Sequence, residues 1–502
     1  MLEEKIMTPY YERLSAMDAS FLGIEDGNCH MQVGAVTVFD AEPLRTPNGG
    51  VDIDRIRNAI HSRLHLVPRF RQRLAYIPYE RIPIWVDDDH FRLSYHVRHT
   101  ALPQPGDERA LKRLVGRIMS RPLDRKRPLW EIWVAEGLQG DRFALISKSH
   151  HCMVDGIGGS DLMSVIMEPF PDAPASAPEP WRPRPRPSDA RLVLDELRRR
   201  VVQPVQAVYA MLDAVRDPEA VLREVIDAAT GVLETFAPVL SPGSSTPLNV
   251  EVGPHRRIDW TEMRVADLKA VKNVLGGTLN DVVLATVAGA LRTFFMQHDL
   301  NPDELEIRAL VPVSVRTKDE RGQLGNQLTQ LTAPLPVKLR DPIARLRAVR
   351  ETTESLKQSR MALGAEVLTA ISEWAVPNLL VQAVRLAGRT RPYNLMVTNV
   401  PGPQIPLYLQ GARMRTAYPV APLFEKMALI VALFSYNGGL YWGINSDWEQ
   451  VADLHNFVLA IEDSFRELQE AARKASARRA TEPIRKRRGA IKAVPVQAAR
   501  AS

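Results

Sequence analysis

Ser149-His150-His151-Cys152-Met153-Val154-Asp155-Gly156-Ile157-Gly158-Gly159 is the stretch on which the reading of this chain turns. Phe143-Ala144-Leu145-Ile146-Ser147-Lys148 precedes it and reads as a short strand; Leu162, Met163, Val165 and Ile166 follow it and start a helix. The two histidines therefore sit where a strand stops and the chain turns, and catalytic groups collect at such strand ends in α/β folds. Adjacent residues leaving a strand point to opposite sides, so His150 and His151 do different jobs. One imidazole faces a cavity as a general base, since its ordinary pKa lies near neutrality, and the other is scaffold. Alternation does not say which is which. Asp155 is placed to fix the turn or hold an arginine, and Gly156 permits a close backbone approach. A metal site is not expected: His-Glu-x-x-His is absent, and Cys29 and Cys152 are far apart.

The 502 residues suffice for two or three domains with large cores. No window approaches eighteen uninterrupted apolar residues, so no transmembrane helix is expected, and Met-Leu-Glu-Glu-Lys at the start has no apolar core of a signal peptide. The net charge of +6 is local, because the segment 471–502 holds ten Lys/Arg and one acid, Glu482. The rest is close to neutral, which argues against a nucleic-acid-binding core.

Taken in order, the chain opens with a helix start in 12–22 and a strand at Met31–Phe39, then an amphipathic helix with Ile53, Ile56, Ile60 and Leu64 at helical spacing. Val67-Pro68-Arg69-Phe70-Arg71 follows and, on its own, fits a solvated basic loop. His90, His96 and His99 scatter at no metal-ligand spacing and read as surface or satisfied histidines. A helix is predicted at Glu108–Met119. In Pro128-Leu129-Trp130, the proline fixes a strand entry and the indole offers a broad apolar wall, either for a substrate chain or for the core. Eight prolines in 169–188 mark an extended linker. From Arg191 to Phe236, Leu192, Leu194, Leu197, Val201 and Val205 begin an apolar stripe beside Arg198, Arg199 and Arg200. A helix packed on the body and a helix lying on a lipid surface both produce this stripe.

Thr278 before Leu279-Asn280-Asp281 is a good N-cap, with Asp281 in the first turn, so capping accounts for much of the segment. Tyr393-Asn394-Leu395-Met396-Val397-Thr398-Asn399-Val400-Pro401-Gly402-Pro403 is a strand ending in a turn. Thr398 or Asn399 is placed to donate to an oxyanion or to cap the strand. Strands at 428–436 and 440–445 flank the hairpin turn Asn437-Gly438-Gly439, and a last helix is predicted at 451–472. The segment 473–502 reads as a disordered basic tail that either contacts anionic lipid or is simply solvated.

His150-His151-x-x-x-Asp155-Gly156 resembles the signature of the CoA-dependent acyltransferase superfamily. Leu14 to Leu22, Pro68-Arg69-Phe70-Arg71, Pro128-Leu129-Trp130, Asn280-Asp281 and Thr398-Asn399-Val400-Pro401-Gly402-Pro403, in this order, resemble the actinobacterial branch of the bacterial wax ester synthase/acyl-CoA:diacylglycerol acyltransferase family. The resemblance implies a two-lobed α/β fold, each lobe like chloramphenicol acetyltransferase, with a tunnel between. The lobes would be 1–168 and 246–472, with a Pro-rich linker and helical crossover at 169–245 and the tail at 473–502. It implies transfer of a long-chain acyl group from acyl-CoA to diacylglycerol or a fatty alcohol, with His151 as base. His150, Asp155 and Gly156 would support the motif, and the Pro-Leu-Trp, Asn-Asp and Thr-Asn residues would serve the substrates. No cofactor beyond acyl-CoA as substrate is expected. Cytoplasmic placement, peripheral at a membrane or lipid droplet, would suit lipid substrates. Another alcohol acceptor, or a non-catalytic lipid-droplet protein that retains the motif, are the rival readings.

Overall fold

A computed structural model describes residues 10–153, 162–172, 177–199, 244–314, 328–361 and 393–481. Two six-stranded sheets carry the fold, each with its own hydrophobic core. The first runs, in spatial order, β12 (Tyr408–Leu409), β13 (Ala412–Val420), β2 (Gln32–Asp40), β7 (Arg142–His150), β6 (Trp130–Leu138) and β5 (Val97–Ala101). The second runs β10 (Leu328–Leu335), β9 (Ile307–Ser314), β11 (Leu395–Pro401), β14 (Leu429–Tyr436), β15 (Gly439–Asp447) and β8 (Arg256–Arg264). A small sheet of β1 (Glu12–Arg13), β4 (Pro83–Asp87) and β3 (Gln72–Tyr76) lies beside them.

The continuous apolar run Phe143-Ala144-Leu145-Ile146 is what a central strand covered on both faces requires, and all four are buried in β7. The hairpin β14–β15 turns on Asn437 and Gly438, at φ of 45° and 82°, the left-handed backbone that this residue pair favours. Helix Leu279–Gln297 is the core of the second lobe. It is long and apolar enough to cross a membrane, yet 78% of that window is buried within the protein.

The division near residue 246 does not separate the sheets completely. β12 and β13, from the second half of the sequence, complete the first sheet through antiparallel pairing of β13 with β2. Gly443 makes the crossing possible: a Cβ there would stand 1.7 Å from the Pro419 carbonyl oxygen. Tyr436 and Tyr441 donate their hydroxyls to the carbonyls of Met414 and Arg415, at 3.1 Å each, tying β13 back to the second sheet. Sequence periodicity cannot reveal such an exchange, because β13 alternates like any other strand.

Two further departures concern local structure. Pro68–Arg71 is a 3-10 turn with Phe70 and Arg71 buried, not a solvated loop. The last helix spans Leu454–Thr481, so it continues nine residues past the predicted end at 472 and takes in the start of the supposed tail. The Pro-rich linker, where described, is strapped to the body: the Arg184 guanidinium donates to both Asp87 oxygens, at 2.9 Å each. Leu192 packs under the small sheet, whereas Leu194 and Leu197 are 64% and 55% exposed. The rest of the expected crossover helices, 200–243, and the tail from 482 lie outside the described residues.

Candidate active site

His150 ends β7, and a 3-10 turn, His151–Met153, begins with its neighbour. Backbone bonds from both flanking strands clamp the pair. His150 N–H donates to Leu129 O at 2.9 Å, and His151 N–H donates to Met31 O at 2.7 Å. The Pro-Leu-Trp segment thus acts on the histidines through its main chain.

The two rings have different surroundings. His150 is 1% exposed. Its Nδ1 lies 2.9 Å from Cys152 Sγ and accepts the Cys152 backbone N–H at 3.2 Å, while Nε2 lies 3.5 Å from Glu25 Oε2. His151 is partly exposed, and Phe21 covers one ring face at a centroid distance of 4.1 Å. Its Nδ1 is buried without a hydrogen-bond partner among the described residues. Burial lowers the His151 pKa to about 4, and an interaction with its own backbone carbonyl offsets this only in part. The ring is therefore neutral near pH 7, the state a general base needs.

Glu25 and Arg125 complete this environment and escaped the sequence reading. Glu25 sits at the C-cap of helix Ala16–Ile24. It accepts from Arg125 Nε at 3.0 Å and Nη2 at 2.5 Å, and Arg125 also donates to Leu22 O at 2.9 Å. Burial works to raise the Glu25 pKa, but His150 and Arg125 outweigh it and hold it at about 2. No spacing rule links residues 25, 125 and 150; only the fold brings them together.

Pro128 and Leu129 are buried, and Trp130 is 1% exposed. The structure turns the expected indole wall into the core. Trp130 Nε1–H donates to Phe70 O at 2.8 Å, and the ring stacks on His96 at 4.6 Å. His96 Nδ1–H donates to Trp130 O at 2.8 Å, and burial lowers its pKa to about 4. His96 is thus a satisfied core histidine.

The Asn-Asp and Thr-Asn segments come together: Asn399 Nδ2 donates to Asn280 Oδ1 at 2.7 Å. Asp281, next in sequence, is 2% exposed and closes a capping box with Thr278. One carboxylate oxygen accepts the Thr278 N–H at 2.7 Å, and the other accepts the Thr353 hydroxyl at 2.7 Å. Thr398 lies on β11 opposite Ala432 of β14. Just past it, a Cβ at Gly402 would stand 2.3 Å from Phe434 and 2.4 Å from Ser435 O, so the turn requires glycine. Among the described residues, no hydrogen bond joins Thr398 or Asn399 to His151. Asp155 and Gly156 lie outside the described residues.

Comparison with known proteins places this arrangement. A family model for the wax ester synthase/diacylglycerol acyltransferase catalytic domain matches residues 14–283, and the WS/DGAT C-terminal domain matches 324–469. A Mycobacterium tuberculosis protein named as a diacylglycerol O-acyltransferase is 34% identical over 92% of this chain and 91% of its own. The Mycobacterium tuberculosis diacylglycerol O-acyltransferase tgs1 is 34% identical over 96% of this chain and 99% of its own. Among solved structures, the wax ester synthase/diacylglycerol acyltransferase of Marinobacter aquaeolei superposes with a TM-score of 0.68 at 25% identity, covering 92% of this chain and 99% of that one. The starter condensation domain of rhizomide synthetase shares the fold at a TM-score of 0.56 and 13% identity, covering 93% of this chain and 95% of that one. With both family domains matched, and relatives aligned over nearly their whole length, the chain belongs to the wax ester synthase/diacylglycerol acyltransferase family.

Proposed function

We propose that this chain transfers a long-chain acyl group from acyl-CoA to the hydroxyl of a diacylglycerol, with long-chain alcohols as a second acceptor class and His151 as the general base. The observation that carries the reading is the contrast within the histidine pair: His150 is buried and bound on its Nδ1 side, while His151 is partly exposed and neutral at physiological pH.

The steps follow from that geometry. The Nδ1 edge of His151 is buried, so Nε2 is the nitrogen assigned to the substrate side. Nε2 takes the alcohol proton as the oxygen attacks the thioester carbon. The carbonyl becomes a tetrahedral oxyanion, the C–S bond breaks, and imidazolium returns the proton to the departing thiolate. An ester and a free thiol result. No acyl-enzyme is needed, and Cys152 is an unsuitable nucleophile because burial raises its thiol pKa well above the ordinary value. One of the two Asn399 amide hydrogens is used on Asn280; the other and the Thr398 hydroxyl are the donors proposed for the oxyanion.

The name of tgs1 supports diacylglycerol as an acceptor, and the name of the Marinobacter relative adds wax esters. Contact with a membrane or lipid-droplet surface belongs to the same reading, since both products are lipids. The exposed Leu194 and Leu197 support it. Flotation with anionic vesicles tests this: Leu194→Ser with Leu197→Ser should weaken binding, and unchanged flotation would remove these residues from the lipid-facing surface. The catalytic reading is tested by transfer of labelled acyl groups from a long-chain acyl-CoA to diacylglycerol and to a long-chain alcohol, with His151→Ala as control.

A further inference from the structure

We propose that Glu25 is a positioning residue for acyl transfer, acting through the His150 ring to hold the 151–153 turn that carries the base. The inference rests on His151 being that base. His150 Nδ1 accepts the Cys152 backbone N–H, so this nitrogen is unprotonated and the ring proton sits on Nε2. Among the described residues Nε2 has no partner within hydrogen-bond geometry, and Glu25 Oε2 faces it at 3.5 Å. The imidazole therefore spans from a carboxylate to the backbone of the catalytic turn. Arg125 donates two hydrogen bonds to that same Oε2, fixing the oxygen that faces His150, and anchors itself on Leu22 O.

One helix thus supports both histidines. Phe21 lies against the His151 ring, and Glu25, at the same helix's C-cap, faces His150. His150 and Arg125 hold the carboxylate ionised, at a pKa of about 2, and among the described residues its Oε1 is buried without a partner. What it supplies is geometry: a fixed acceptor that selects the Nε2–H form of His150 and sets the angle of its ring. A slackened ring would shift the turn, and displacement of a reacting group by a fraction of an ångström to an ångström lowers the rate without loosening substrate binding.

The test uses the full chain, with kcat and the acyl-CoA KM measured for wild type, Glu25→Gln, Glu25→Asp, His151→Ala and Glu25→Gln combined with His151→Ala. Glu25→Gln should lower kcat by about tenfold to a hundredfold with KM within about twofold. Glu25→Asp, which keeps the charge, should recover part of the loss. In the His151→Ala background, Glu25→Gln should change the residual rate by less than about twofold, because residues acting as one unit are not additive. Urea midpoints establish that each protein is folded, and if Glu25→Gln does not fold, Glu25→Asp and Arg125→Lys carry the same comparison. Parental kcat in folded Glu25→Gln, or an equal fractional loss with and without His151, would overturn the inference. A parental rate in His151→Ala would instead defeat the assignment of the base, and the two failures are distinguishable.

Discussion

Replacing Asp281 by alanine separates two roles that the Asn-Asp segment has to choose between, substrate contact and helix support. The carboxylate is buried and both its oxygens are used within the protein, on the Thr278 N–H and the Thr353 hydroxyl. A hydrogen bond from a backbone N–H to a charged acceptor contributes about 1.5–3 kcal/mol. The Thr353 bond adds about 1 kcal/mol, less what its second acceptor, Arg350 O at 3.1 Å, recovers. A negative charge in the first helical turn contributes about 0.3–1 kcal/mol more. Asp281→Ala should therefore destabilise the second lobe by about 3 kcal/mol, with about 1 kcal/mol of that removed by Thr353→Val alone. Urea unfolding followed by tryptophan fluorescence measures the change. Acyl transfer per folded molecule should stay within about threefold of wild type, since no oxygen of Asp281 is left to contact a substrate. Loss of transfer with stability altered by less than about 1 kcal/mol would refute the reasoning and make Asp281 a substrate contact.

Two further predictions follow from the lowered pKa values of His151 and His96. Because the pKa of His151 lies at about 4, kcat/KM should be flat near neutrality and fall only as pH drops through about 4; a midpoint near the ordinary 6.5, in brief assays on folded enzyme, would contradict the assigned surroundings of the base. The fold disfavours protonation of His96, so the unfolded chain takes up a proton first, and stability is intact above 6.5 and lost as pH falls towards about 4. At pH 5 this loss is about 2 kcal/mol; His96→Gln should lose that much less than wild type between pH 7 and 5 in urea titrations, and an unchanged pH dependence would show that His96 titrates normally.

Much of the site was legible because its chemistry is local. His150 and His151 had to sit at a strand end, and β7 ends at His150. Thr278 read as an N-cap with Asp281 in the first turn, and the structure caps the helix there, closing a box between the two. What escaped depends on long-range contact. Trp130 has the composition of a lining residue, yet its indole finds an acceptor in Phe70 O and a stacking partner in His96, both set by distant loops. Glu25 and Arg125 carry no pattern at all; a carboxylate after a short helix and an arginine after another are ordinary surface residues until the fold buries one between the other and His150. The Asn280–Asn399 bond joins two motifs that were separately readable and gave no sign of their contact. The exchange of β13 into the first sheet lies beyond periodicity for the same reason: alternation reports that a strand is half-buried, not which sheet it joins.

The most direct measurement is transfer of a labelled acyl group from a long-chain acyl-CoA, with diacylglycerol and a long-chain alcohol offered in parallel to wild type and to folded His151→Ala. Triacylglycerol or wax ester formed by wild type and reduced by about a hundredfold or more in the variant is the predicted result. Parental product formation by the folded His151→Ala protein would contradict the central claim that this histidine is the base.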